Sequence, residues 1–233
     1  AVTSTNNPNL TLASEGGLTI GAATNIGTGA FTATVDSDND TPETLLVTGS
    51  PTAGSITLSG GGTGTGDTID IDAAISATTG ALIIRNAALV DLAANINLTG
   101  QSVAIDDGIG VIDLSGAGTN TVTSTNGDVV IGPVTDSAAA NLTISSEANV
   151  TLSTITLDDG GAGNLVVTAD DDDDTVAATL QVAGAVNVSG TATIAGGNDN
   201  DDTVDIDAGI VAGGALTITN GNVDIAGDLG LPG

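Results

Sequence analysis

The sequence predicts an all-β chain wound as a β-solenoid, and three observations carry that prediction. Apolar residues come in short groups that alternate with polar ones. Clusters of Gly, Asn, Asp and Ser separate the groups. Long stretches of the whole pattern occur twice. Successive side chains of a strand point to opposite faces, so period-two alternation marks a half-buried strand. No helical periodicity longer than two turns interrupts it.

In chain order the clearest groups are Leu10-Thr11-Leu12, Ile56-Thr57-Leu58, Val103-Ala104-Ile105, Leu142-Thr143-Ile144 and Leu216-Thr217-Ile218. β-Branched residues dominate them, which suits a pleated surface. The intervening Gly, Asn and Asp supply turns, by positive φ or by side-chain bonds to the backbone.

The repeat is explicit. Asn9-Leu10-Thr11-Leu12 returns as Asn141-Leu142-Thr143-Ile144, and Asp67-Thr68-Ile69-Asp70-Ile71-Asp72 as Asp202-Thr203-Val204-Asp205-Ile206-Asp207. Asp36, Asp38 and Asp40 return as Asp170, Asp172 and Asp174, Gly80-Ala81-Leu82 as Gly214-Ala215-Leu216, and Asp91 as Asp224. Residues 1–140 therefore read as a first long repeat, with a copy core at 9–98 and connecting coils at 99–140; residues 141–233 read as a second, incomplete one. Coils of roughly 20–25 residues would fit about six to the repeat, in one shared register. Tandem β-sandwich modules are the alternative. A sandwich core wants bulky, often aromatic residues, and one Phe in 233 residues counts against it.

Gly80-Ala81-Leu82-Ile83-Ile84, Gly127-Asp128-Val129-Val130-Ile131 and Gly213-Gly214-Ala215-Leu216-Thr217-Ile218-Thr219-Asn220 resemble the degenerate repeats of filamentous-haemagglutinin-type bacterial surface proteins. The resemblance covers most of the chain and rests on composition and rhythm. It implies a right-handed parallel β-helix, secretion to the cell surface and an adhesive or fibrous role. The amino-terminal secretion domain typical of that family is not recognisable here. The chain opens at Ala1 rather than Met, which reads as a processed product or an excerpt.

Composition excludes several classes. Arg85 is the single basic residue against 29 acids, for a net charge of −28. Nucleic-acid binding needs Lys or Arg to neutralise phosphates, and anionic membranes repel the same sign. With no Cys and no His, the usual zinc sites, iron–sulfur clusters, thiol nucleophiles and disulfides are absent. Only carboxylates remain as acids or bases near neutral pH. No segment approaches the ~20 apolar residues of a spanning helix, and the aromatic girdles of an outer-membrane barrel are missing.

The acids themselves form the candidate site. Asp36, Asp38 and Asp40, with Asp170, Asp172 and Asp174, place carboxylates at alternate positions of a loop. Calcium takes six to eight oxygen ligands, which such loops can supply. The pattern departs from an EF-hand, since the sixth position is Thr41 rather than Gly and the twelfth is Val47 rather than Glu. A second set joins Asp67, Asp70 and Asp72 with Asp202, Asp205 and Asp207. Alternation sends Ile69 and Ile71 inward and Asp70 and Asp72 outward. Close carboxylates repel, so either bound Ca2+ or ionic strength must screen them; solvated turns and outer faces remain the simpler reading of any acidic run.

Paired carboxylates also serve glycoside hydrolysis, but there are no aromatic platforms for sugars, and Arg85 has Thr219 as its repeat counterpart. Thr119, Thr121, Thr123 and Thr125 alternate on one face as in ice-binding arrays, yet Thr-x-Thr pairs do not recur at one coil spacing. Six Asn-x-Ser/Thr sequons begin at Asn9, Asn39, Asn97, Asn141, Asn149 and Asn187.

The expected function is a non-enzymatic, extracellular or cell-surface structural protein: a stiff rod or filament subunit of a microbial fibre or adhesin. It would be a homo-oligomer or head-to-tail filament without nucleic acid or membrane insertion, with a carbohydrate or cell-surface receptor as further partner. A calcium-dependent sandwich adhesin or surface-layer module is the alternative, and a polysaccharide-cleaving β-helix enzyme the remote one.

Overall fold

The structure is a computed structural model that describes residues 2–3, 6–38, 40–61, 66–159, 161–171, 176–197, 201–219 and 221–230. Among them thirty strands run in chain order from β1 (Val2–Thr3) to β30 (Leu229–Gly230), and no helix occurs. Every third strand pairs, giving three ten-stranded sheets that begin with β1, β2 (Leu10–Ala13) and β3 (Leu18–Ile20). Neighbouring strands in all three are parallel, as in the pairing of β2 with β5 (Ala30–Thr34). The chain is thus a parallel β-solenoid. Antiparallel sandwich modules, the alternative fold, are not what it forms.

The interior is built from apolar columns. On the second sheet Phe31, Ile56, Leu82, Val103, Val129 and Val150 lie in successive register, and all are essentially inaccessible. Each such side chain contributes about 1.5–3 kcal/mol on leaving water. Only the inward half of each strand does this, which is why the sequence alternates. Small residues and Gly fit the corners because rungs approach closely. A Cβ on Gly54 would lie 2.0 Å from the Thr28 carbonyl oxygen of the rung before it.

Two expectations about the coils are corrected. Register steps on the second sheet run from 19 residues (Val204 to Val223) to 30 (Val150 to Leu180), wider than the range expected. The corners absorb the difference, so the stacked columns stay aligned. The two copies also do not share one register. Asp70 lies on β9 (Thr68–Ile71) in the third sheet, while its counterpart Asp205 lies on β26 (Thr203–Ile206) in the second. β2 likewise corresponds to β19 (Ala140–Ser145), moving from the second sheet to the first. Counterparts are seventeen strands apart, and at three strands per turn that is two strands past the fifth turn. The second copy is therefore turned by one face about the solenoid axis.

On the last described rung Val223, Ile225 and Leu229 are 46 %, 43 % and 43 % exposed, whereas their register partners Val204, Ile206 and Ile210 are fully buried.

Candidate functional sites

The acidic residues separate into two populations, one outward-facing and one interior. Asp70 and Asp72 turn outward beside buried Ile69 and Ile71, as alternation requires. Asp36, Asp67 and Asp202 are 0 % exposed and Asp170 is 2 % exposed, so four carboxylates lie inside. The signal for Asp67 and Asp202 is the strand phase itself. Asp67 shares the inward phase of Ile69 and Ile71, and Asp202 that of Val204 and Ile206. Asp36 and Asp170 follow inward Val35 and Ala169, and enter the interior through left-handed backbone at φ 47° and 51°. Asp tolerates that region better than most residues.

These interior acids pair across the two loop sets of the sequence. In the first copy Asp67 Oδ1 accepts from the Glu43 N–H and Oδ2 from the Gly61 N–H, both at 2.9 Å. Asp36 packs on the same Gly61, since a Cβ there would lie 1.6 Å from the Asp36 carbonyl oxygen. In the second copy Asp202 Oδ1 accepts from the Ala178 N–H at 3.0 Å. Its Oδ2 is buried and has no hydrogen-bond partner among the described residues. A Cβ on Gly197 would lie 2.1 Å from Asp170 Oδ2 and 2.3 Å from Asp202 Oδ2, which holds the two oxygens within about 4.4 Å of each other.

Asp38 and Asp40 stay exposed, but each offers an oxygen that lies with one from Asp36 inside a common 4.8 Å. The Asp40 N–H donates to Asp36 Oδ1 at 2.9 Å. Desolvation, then the carboxylates of Asp40, Glu15 and Asp36, hold Asp38 above the ordinary carboxylate range. Asp172 and Asp174, the counterparts of Asp38 and Asp40, lie outside the described residues, as does Asn39.

Outward acids form ladders. Asp70, Asp91 and Asp113 stack in register on the third sheet, and Asp205 with Asp224 on the second. Parallel rungs stand ≈ 4.8 Å apart, so each carboxylate faces another. Asp70 is pushed up by desolvation, then by Asp72 and Asp91; Asp205 by desolvation, then by Asp207 and Asp224. Asp207 is exposed beside its ladder, where its Oδ2 accepts from the Gln181 amide at 3.0 Å. Asp136 is a further interior acid that alternation could have found, in the inward phase of Val134; its Oδ1 accepts from the Asp158 and Asp159 N–H groups.

The first sheet is the opposite case. None of its ten strands contains a charged residue. Its outward column reads Thr52, Ser76, Thr99, Thr123, Ser145 and Thr168 on successive rungs, then Ala195 and Thr219. Beside it run Thr121, Thr143, Val166, Thr193 and Thr217. The Thr pairs share no single coil spacing, as the sequence indicates, yet they stack, because unequal coil lengths hide in the sequence a stacking that the fold restores. Thr32 and Thr34 belong to another face, on the second sheet.

Several sequon asparagines have structural work. Asn9, Asn141 and Asn149 each accept with Oδ1 from a backbone N–H of the next rung, on Ala30, Asn164 and Thr179. Arg85 is exposed at the end of β11 (Leu82–Arg85). A surface depression lined by Ala87, Ala88, Gly108, Ile109 and Gly110 carries no acid. No family model matches the chain, and neither a curated protein nor a solved structure matches it.

Proposed function

We propose that this chain is a rod segment of an extracellular microbial surface fibre or adhesin, structural rather than catalytic. The observation that carries the reading is the unbroken stacking of ten strands in each of three parallel sheets around one apolar interior. In such a solenoid every rung is held by its neighbours, so stability grows with length. The acidic exterior of a chain at −28 keeps rods soluble and apart. A filamentous-haemagglutinin-like role agrees with the parallel solenoid. Antibodies against the chain should label intact, unpermeabilised cells along surface filaments. Label that appears only after permeabilisation overturns the reading.

Head-to-tail growth would set the first rung of a second copy against the exposed apolar Val223, Ile225 and Leu229. Sedimentation velocity at rising concentration should show mass growth that Ile225→Asp removes. A concentration-independent monomer contradicts it.

A second reading concerns the charge-free sheet. Thr and Ser hydroxyls at rung spacing present a regular, neutral hydrogen-bonding array, the kind of surface that fits ordered water in ice. Thermal hysteresis at micromolar protein, lost in Thr123→Lys, is the expected result. Its absence removes this reading and leaves the rod untouched.

A further inference from the structure

We infer that the second copy holds a hard divalent cation of the calcium class between Asp170 and Asp202. Four features converge there. Both carboxylates are at least 98 % buried. Their Oδ2 atoms approach within about 4.4 Å across Gly197, close enough for one ion with Ca–O distances of 2.3–2.6 Å to touch both. Asp202 Oδ2 is buried with no hydrogen-bond partner among the described residues. Arg85, the single basic residue, is exposed on β11 and supplies no positive charge to the interior. A buried carboxylate needs a partner of opposite charge or donors for its oxygens, and a divalent ion matches two carboxylates in charge.

Gly197 is part of the device. Any side chain there would occupy the space onto which both oxygens converge. The same dipeptide stands in the first copy as Gly60-Gly61, but there the Gly61 N–H donates to Asp67 Oδ2. That oxygen is satisfied by the main chain, and the inference is confined to the second copy. It does not depend on the rod reading.

The test is isothermal titration of chelator-treated protein with calcium chloride at fixed ionic strength, paired with melting by circular dichroism. Wild type should bind saturably, and its Tm should rise by about 5 °C or more at 100 times Kd. Asp202→Asn keeps the Oδ1 acceptor for the Ala178 N–H, so it should fold and bind one calcium fewer. Asp170→Asn should do the same, while Asp224→Asn, on the outer ladder, should bind as wild type does. No saturable binding by wild type, or unchanged stoichiometry in both Asp170→Asn and Asp202→Asn, overturns the inference.

Discussion

The two copies of the long repeat each place two interior acids in the same relation to a Gly-Gly dipeptide, and then treat them differently. In the first, both oxygens of Asp67 are taken by main-chain N–H groups from Glu43 and Gly61. In the second, Asp202 keeps one such bond, from Ala178, and turns its other oxygen toward Asp170. The difference teaches that burial of a carboxylate does not by itself ask for a cation. What decides is how many donors the backbone brings. A duplicated sequence motif can thus serve as a corner clamp in one copy and as a candidate ion site in the other.

The largest effect should come from filling the shared glycines. Gly61→Ala puts a methyl 1.6 Å from the Asp36 carbonyl oxygen, and Gly197→Ala puts one on two carboxylate oxygens. Each should cost about 3 kcal/mol or more, read as a fall in the denaturation midpoint. Gly16→Ala is the control, with nothing within 4 Å, and should leave the midpoint unchanged. Next comes the direct contrast between copies in the presence of chelator. Asp67→Asn sets an amide nitrogen against a backbone donor and should cost about 1–3 kcal/mol. Asp202→Asn loses no hydrogen bond at Oδ2 and relieves repulsion, so its midpoint should stay or rise. Equal losses in the two variants would erase the distinction drawn here.

A smaller effect concerns the ladders, which the repeat carries from the third sheet to the second. Asp70 and Asp205 both sit above the ordinary value of 3.8, through desolvation first and neighbouring acids second. The folded state then holds their protons more tightly than the unfolded state does. Stability falls as pH rises from the ordinary value through the raised one, and the cost is complete above it. Melting at fixed ionic strength should show a contribution to Tm that is flat near pH 7 and rises as pH is lowered through that window, and Asp91→Asn should flatten the rise. The same substitution should add about 0.5 kcal/mol at neutral pH, because like charges on facing rungs destabilise a sheet. Smallest of all, added sodium chloride should raise Tm by screening these outward pairs, half-buried at Asp70, Asp91 and Asp205, and less so in Asp91→Asn.

Much of this architecture is legible in the residues. Alternation identifies Ile69 and Ile71 as interior and Asp70 and Asp72 as exterior, and the spacing of turn clusters identifies short strands wound as a solenoid. The burial of Asp67 and Asp202 was also written in the phase of their strands, two residues before inward Ile69 and Val204. An acid next to outward acids reads as solvated only when that phase is ignored. Asp36 and Asp170 were not legible, because a left-handed residue breaks the alternation at that point. Nor was sheet membership. Corners differ in length by as much as eleven residues between rungs, and sequence offsets alone cannot count strands through them. That is why stacked threonines looked scattered and why the copies looked aligned on one face.

The most direct test of the continuous solenoid, with its copies turned by one face, uses the absence of native cysteine. Cysteine pairs can be placed at outward positions and bridged with dibromobimane, which fluoresces once it joins two thiols lying close together. Gln181→Cys with Asp205→Cys are register partners on the second sheet, and Thr156→Cys with Asn187→Cys on the third; both pairs should bridge. Gln181→Cys with Val211→Cys, on different sheets, should not. Failure of the first two pairs, or bridging of the third, would contradict the architecture from which every site described above takes its place.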